Sequence, residues 1–214
     1  MILEDLRAIL AGIPFTIALT LAAFAVGSLL GFPLCAMRLS RFGVVRWLAS
    51  ALILTFRSIP PIVWLFFIFF GIGLGYLQLD PFSSATIGLG LITAANMAEI
   101  YRGALSAIHL GQWEAASVLN LSPRHRFVDV IAPQLLRVSL PSAATYAIGL
   151  LKDSAVASAI GVHEIAFEAY HVSQQTFRGL DVYASAGLLY IVISLPIAWL
   201  ARRTDMRLRA RVAL

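Results

Sequence analysis

Charged residues are scarce in this sequence and cysteine is almost absent. Only 13% of its 214 residues are charged, about half of the roughly 25% typical of soluble domains, which excludes an ordinary water-soluble globule. The one cysteine, Cys35, has no partner within the chain, which excludes a disulfide-stabilised scaffold. Hydrophobic residues make up 60% of the chain, and the mean hydropathy is +0.86, which excludes intrinsic disorder. An integral membrane protein is the class that remains.

Several apolar runs are long enough to cross a bilayer, which takes roughly 20 mainly apolar residues in a helix. The runs are residues 13–37, 59–77, 84–108, 140–161 and 182–201. Three of them contain no charged residue, whereas the third contains Glu99 and Arg102 and the fourth contains Lys152 and Asp153. The sequence therefore predicts an all-α integral membrane protein with five transmembrane helices.

Arginines are distributed unequally among the connections, and this predicts the orientation. The connections after the first and third runs and the C-terminal tail carry Arg38, Arg41, Arg46, Arg124, Arg126, Arg137, Arg202, Arg203, Arg207, Arg209 and Arg211. The opposite side carries only Arg7 and Arg178. By the positive-inside rule, residues 1–12 are an extracytoplasmic segment and residues 202–214 are a basic cytoplasmic tail beside anionic lipid. The net charge of +5 thus needs no nucleic-acid partner to explain it.

A long connection, residues 109–139, lies on the predicted cytoplasmic side. A loop of that length is usually functional or has structure of its own. Residues 112–119 are typical of a short helix, with Trp113, Ala116 and Val118 as candidates for its apolar side. Asn120 can adopt the left-handed conformation that ends a helix. From composition alone two interpretations stay open: an amphipathic connector on lipid, or a helix presented to the groove of a cytoplasmic partner.

The second half of this connection has a helix start signal. Ser122 is a good N-cap, and Pro123 suits the first helical position, so we expect a second helix through about Ile131. We expect Pro133 and Pro141 to break the helix beyond that point. The connection is thus predicted to be a helix, a tight turn and another helix at the inner membrane surface.

Four blocks of the sequence resemble the membrane subunits of ATP-binding-cassette (ABC) importers, most closely those of the polar amino-acid uptake family. The blocks are FRSIPPIVWLFFIFFG (56–71), AEIYRGALSAIHLGQWEAA (98–116), APQLLRVSLPS (132–142) and LLKDSAVASAIGVHEI (150–165). The family's EAA loop has Glu-Ala-Ala, three residues, glycine, and after a spacer an apolar residue, leucine and proline. The match falls on Glu114, Ala115, Ala116, Asn120, Ile131, Ala132 and Pro133. Four ordered, correctly spaced blocks are far more specific than Glu-Ala-Ala alone.

Two positions depart from the family pattern. Asn120 replaces the glycine, and Ala132 replaces the leucine before proline. Asparagine is the non-glycine residue best suited to a positive φ angle, so we expect the turn to persist. The change at Ala132 removes one apolar contact.

The resemblance implies a type I importer permease fold over residues 13–201, in the bacterial cytoplasmic (inner) membrane. It implies a dimer with a second permease, self or homologue, and a solute-binding protein that delivers a polar amino acid or related nitrogenous solute. It also implies separate ATPase subunits that bind a coupling helix in the EAA loop, through Gln112, Glu114, Ala115, Ala116 and Asn120. ATP would bind those subunits, so this chain would hold no cofactor and catalyse no covalent reaction. It has no glycine-rich phosphate-binding motif of its own.

The charges inside the predicted membrane helices are candidates for function, because such groups are costly in lipid. Glu99 and Arg102 are three residues apart and share a helix face, which fits a structural pair or a gating role. Lys152 and Asp153 are adjacent and point in different directions. They fit either a structural network or a solute pathway, since an amino-acid zwitterion needs one group of each sign.

Two other classes compete with the importer interpretation. A self-contained channel or secondary carrier is the alternative; the charged pairs favour it, whereas the lack of an inverted repeat and the EAA-like loop do not. A membrane-embedded enzyme would need a nucleophile, acid–base or metal constellation, and the sequence has none. The four histidines, His109, His125, His163 and His171, lack metal-ligand spacing.

Overall fold

The computed structural model describes residues 2–77 and 79–210, and the regular secondary structure in this part of the chain is entirely helical. The α-helices are α1 (Ile2–Leu10), α2 (Ile13–Arg38), α3 (Gly43–Ser58), α4 (Pro61–Phe66), α5 (Pro81–Ala107), α6 (Leu110–Val118), α7 (Pro123–His125), α8 (Ala132–Asp153), α9 (Ile165–Thr176) and α10 (Gly179–Ala210). π-type helix follows α4 (Phe67–Leu77) and α7 (Arg126–Ile131), and a 3₁₀ helix follows α8 (Ser154–Ile160). The predicted all-α class is confirmed. Residues 211–214, the end of the predicted basic tail, lie outside the described residues.

Membrane-crossing length and apolarity occur together in two helical stretches of the described chain, Leu6–Arg38 and Gly179–Trp199. A third candidate is the pair Gly43–Ser58 and Pro61–Ile72, which meet at an angle of 104°. Helices α5 and α8 have 27 and 22 residues, which is long enough to span a bilayer. Their composition is more polar, because they bury small and hydroxyl-bearing residues against other helices. The count of five spans remains a prediction.

A sharp bend marks the start of the second predicted run. Helix α3 ends at Ser58, Ile59 and Pro60 are extended, and α4 begins at Pro61. A residue that precedes proline is disfavoured in the α-helical conformation, and Ile59 and Pro60 both precede one. The predicted run 59–77 is therefore helical from Pro61 onward, first as a short α-helix and then as π-type helix.

Small residues allow α2 and α5 to pack closely. A Cβ added at Gly27 would lie 2.3 Å from Cβ of Thr93, and one at Gly31 would lie 2.8 Å from Cβ of Met97. Gly90 faces Val26 in the same contact. Such small residues let helix backbones approach one another in membranes. The α2–α5 pair is consequently the packed centre of the molecule.

The prediction that Pro133 and Pro141 interrupt the helix is wrong. Helix α8 runs without a break from Ala132 to Asp153. Pro133 directly follows the π-type stretch Arg126–Ile131, where the helix changes geometry without ending. Pro141 lies inside the helix, where packing against neighbouring helices and nearby hydroxyl groups makes an internal proline tolerable.

Apolar clusters mark the two ends of the bundle. The loop-end cluster joins the last turns of α5 to the start of α8 and includes Ile108, Ile131 and Leu135. The N-terminal cluster joins α1, α9 and α10 and consists of Ile9, Ile165, Ala169, Val172, Val182 and Ala186. The 109–139 connection is thus anchored at one end of the helices, and the segment preceding α9 at the other.

Candidate functional site

Helix α6 has well-defined ends that follow from its sequence. At its start, Nδ1 of His109 accepts a hydrogen bond from the backbone N–H of Gly111 at 3.1 Å. At its end, Asn120 has φ of 52°, so the predicted left-handed turn is confirmed. The N–H of Leu121 donates to the carbonyl of Ala116 at 3.2 Å, and that of Asn120 donates to Ser117 at 2.9 Å. This pair of bonds is a Schellman motif, which satisfies carbonyls at the helix end.

The two faces of α6 differ completely in burial. Ala116 is 2% exposed, and Trp113 packs against the loop-end cluster, as predicted for an apolar side. The opposite face, which we call the α6 face, consists of Leu110, Glu114, Ala115 and Val118, all of them exposed. Val118 is 86% exposed, so its predicted place on the packed side is wrong. The α6 face combines one carboxylate with exposed apolar side chains.

The remainder of the connection is ordered by side-chain hydrogen bonds. Oγ of Ser122 accepts from the N–H of His125 at 3.4 Å, so the predicted N-cap is confirmed. Nε2 of Gln134 donates to Oε1 of Gln112 at 3.0 Å and to the carbonyl of Val130 at 2.9 Å. Gln112 is therefore tied to the start of α8. Gln134 is not among the site residues predicted from the sequence, although it lies in the APQLLR block beside Pro133.

The predicted Glu99–Arg102 pair is present and has a third member. Nε and one terminal nitrogen of Arg102 lie 2.9 and 2.8 Å from Oε2 of Glu99. Nε of Arg38, at the end of α2, lies 3.7 Å from Oε1 of the same carboxylate. From the sequence, Arg38 is predicted only to lie on the cytoplasmic side, and its contact with Glu99 is seen only in the fold. The cluster ties α2 to α5 near the loop end and is half-exposed.

Lys152 and Asp153 do not belong to that cluster. Both side chains are exposed in the single chain and lie in the last turn of α8, where the helix changes to 3₁₀ geometry. Within the described residues neither takes part in an ion pair. The next residue, Ser154, is fully buried and donates to the carbonyl of Leu151 at 2.7 Å. Where the helix type changes, a cation and an anion that have no ion-pair partner among the described residues are thus adjacent in the chain.

A small polar cluster lies between α5 and α8. The hydroxyl of Tyr146 is 3.2 Å from Oγ1 of Thr93 and accepts from Nδ2 of Asn96 at 3.5 Å. No periodic signal in the sequence predicts this contact, since the partners are far apart in the chain. Groups of three or more metal-ligating side chains are absent from the described part of the chain.

Comparison with known proteins gives matches along nearly the whole chain. The family described as "Binding-protein-dependent transport system inner membrane component" matches residues 23–210. The probable amino-acid ABC transporter permease protein YckA of Bacillus subtilis (strain 168) is 32% identical over 191 residues, covering 89% of this chain and 84% of the relative. The arginine ABC transporter permease protein ArtQ of Escherichia coli (strain K12) is 30% identical over 216 residues, covering 90% and 91%. A crystal structure of an amino acid ABC transporter with histidines has a TM-score of 0.88 at 27% identity, covering 96% of both chains.

Proposed function

Because the chain belongs to the family of binding-protein-dependent transport system inner membrane components, we propose that it is the permease subunit of an ATP-driven importer for a polar amino acid or a related nitrogenous solute. The curated relatives support this solute class, since they are named as amino-acid and arginine permeases. The chain is a transport component, and ATP hydrolysis belongs to separate subunits. The solute reaches it from an extracytoplasmic binding protein.

The observation that carries the proposal is the contrast between the two faces of α6. Trp113 packs against the loop-end cluster and Ala116 is buried, while Glu114 and Val118 on the α6 face are exposed in the single chain. A rigid helix with exposed anchors at i and i+4 is suited to insertion in the groove of a partner. We assign that groove to the ATPase subunit.

The chain connectivity explains how docking there moves the membrane helices. Only two residues separate the end of α5 from the start of α6, and the second helix of the connection leads directly into α8. The Gln112–Gln134 hydrogen bond joins α6 to the first turn of α8. A displacement of α6 by ATPase closure would therefore move α5 and α8 together. ATP and the loaded binding protein would then favour the same state of a two-state assembly.

The unpaired charges at the end of α8 are our candidates for the solute pathway. Lys152 and Asp153 are exposed and offer one group of each sign, which suits an amino-acid zwitterion. Glu99 and Arg102 are already paired, and we assign them a structural role in holding α2 to α5. The pathway would form between this chain and a second permease, with the N-terminus outside and the C-terminus in the cytoplasm.

The experiment that tests the proposal is reversal of the charge at the exposed centre of the α6 face. The Glu114→Lys variant should insert normally, yet lose co-purification with the ATPase subunit and ATP-driven uptake in proteoliposomes that contain binding protein. Asp181→Lys is the matched control, because it makes the same charge change at an exposed carboxylate on α10. Wild-type uptake by Glu114→Lys, or uptake by the wild-type chain without any ATPase, would overturn the proposal.

A further inference from the structure

Glu164 is the fully buried ionisable side chain of the described residues. Its exposure is 0%, whereas the other fully buried polar side chains there are serines and threonines. It lies between the 3₁₀ helix and α9, at the end of the bundle opposite the α6 face. Burying a carboxyl group is unfavourable unless its oxygens accept hydrogen bonds, so its partners are informative.

Both carboxyl oxygens of Glu164 have a partner, and the partners belong to different helices. Oε1 accepts from the backbone N–H of Phe167 at 2.8 Å and so caps α9. Oε2 accepts a hydrogen bond from the hydroxyl of Tyr190 on α10. Among the side-chain hydrogen bonds of the described residues, this one joins α10 to a part of the chain beyond the connection that immediately precedes it. A shorter capping residue such as aspartate would satisfy α9 without reaching Tyr190.

The start of α2 is held to the same segment. The N–H of Ile165 donates to Oγ1 of Thr16 at 3.2 Å, and that hydroxyl donates to the carbonyl of Gly12 at 3.1 Å. A Cβ at Gly12 would lie 2.5 Å from the nitrogen of Ile165 and 2.6 Å from the carbonyl carbon of Glu164. The two backbones are thus in direct contact. The N-terminal cluster packs around this junction, which we call the Glu164 joint: Gly12, Thr16, Glu164, Ile165 and Tyr190.

The Glu164 joint lies on the path of the chain from α8 to α9 and α10, so a movement of α8 would reach those helices through it. Helix α8 leads through its 3₁₀ extension and the left-handed turn at Gly161, with φ of 91°, to Glu164. Helix α10 has no covalent connection to α6 except through this segment and α9. If α6 drives α5 and α8, the far ends of α9 and α10 can follow only through packing and through the Glu164 joint.

We propose that Glu164 is a positioning residue of the transport cycle, which locks α9 and α10 to the start of α2 so that they move as one body with α8. The proposal rests on the proposed function, because it presupposes that α6 is driven by an ATPase. Loss of the Tyr190 bond alone would leave the α9 cap and the ring packing in place. It would allow α10 to lag behind α8, so that ATP would be hydrolysed without a complete change at the far end.

The test is Tyr190→Phe in the assembled importer with its ATPase and binding protein. A typical intramolecular hydrogen bond contributes enough that removing this one should lower the solute moved per ATP by about three- to tenfold. Basal ATP hydrolysis and co-purification should remain at wild-type levels. Tyr183→Phe is the matched control, since Tyr183 is on α10, is 48% exposed and has no side-chain hydrogen bond within the described residues. Glu164→Gln should retain more coupling than Glu164→Ala, because its amide can still bond Tyr190.

Two results would overturn the positioning role. One is a wild-type ratio of solute to ATP in Tyr190→Phe. The other is a loss of uptake that only matches the loss of folded complex, measured from its thermal midpoint, which would make the bond a stabilising contact and no more. Failure of the proposed function gives a different result, because the wild-type chain would then show no ATP-dependent uptake at all.

Discussion

The α6 face and the Glu164 joint each contain a glutamate, and the two side chains differ completely in exposure and in hydrogen bonding. Glu114 is exposed and lies among exposed apolar side chains. Glu164 is fully buried, and hydrogen bonds from α9 and α10 satisfy both of its oxygens. In the proposed function the ATPase subunit covers the first arrangement, whereas the second is complete within the chain. Changes at the joint should therefore affect folding or coordination, and changes at α6 should affect assembly.

The largest effect should come from Gly12→Ala, which tests how tightly the joint is packed. Gly12 has φ of −74°, which alanine adopts freely, so the added methyl group acts only through its contacts with the Glu164–Ile165 backbone. Overpacking of this kind should destabilise the fold by about 3 kcal/mol, lowering the thermal midpoint by roughly 5–10 °C. The measurement is thermal unfolding of the purified complex. Gly187→Ala is the control, because a Cβ there meets nothing within 4 Å; equal midpoints for the two variants would contradict the close approach.

A smaller and different effect is expected at the turn that ends α6. Asn120 has φ of 52°, and a β-branched residue in that conformation costs about 1–3 kcal/mol. Asn120→Val should therefore weaken ATPase binding by about tenfold, because α6 loses its fixed end. The thermal midpoint of the membrane part should change little. Asn120→Gly, which accepts the turn without strain, should bind like the wild type; weak binding by the glycine variant would mean that the asparagine side chain itself is needed.

Much of the loop end could be predicted from the sequence, because its signals are local. Asn120 ends α6 and Ser122 caps the next helix through chemistry that acts over a few residues. The helix breaks predicted at Pro133 and Pro141 do not occur. The effect of a proline depends on its position in the helix and on neighbouring helices, which local patterns do not specify. Likewise the apolar character of Val118 does not reveal that its side chain is 86% exposed in the fold.

The Glu164 joint could not be predicted in the same way. Glu164 lies in the connection between the fourth and fifth predicted runs, and glutamate is not a preferred helix N-cap. Its burial depends on Gly12 and Tyr190, which come from helices distant in the sequence and approach it only in the fold. The same holds for Arg38, which meets Glu99 across the α2–α5 contact. Pairings across the bundle are decided by packing, and no periodicity in one segment encodes them.

The smallest predicted effect is a pH dependence of stability that belongs to the joint. Burial raises the pKa of Glu164 above its usual range, and the nearby Glu168 adds to this, while hydrogen bonds from Tyr190 and the α9 backbone oppose it. A raised pKa means that the folded chain holds the proton more tightly than the unfolded chain. The stabilisation is therefore complete below the ordinary glutamate pKa of about 4.3 and is lost as the pH rises through the raised value.

Glu164→Gln isolates this contribution, because the amide is neutral at every pH. The thermal midpoint of the wild type should fall relative to that of Glu164→Gln as the pH is raised from about 4 towards neutrality. Glu114→Gln, on the exposed α6 face, corrects for the general effect of removing one acid. A constant difference between the wild type and Glu164→Gln across that range would show that the carboxyl keeps the same charge in the folded and unfolded chains. The contrast between the two glutamates would then lie in their contacts alone.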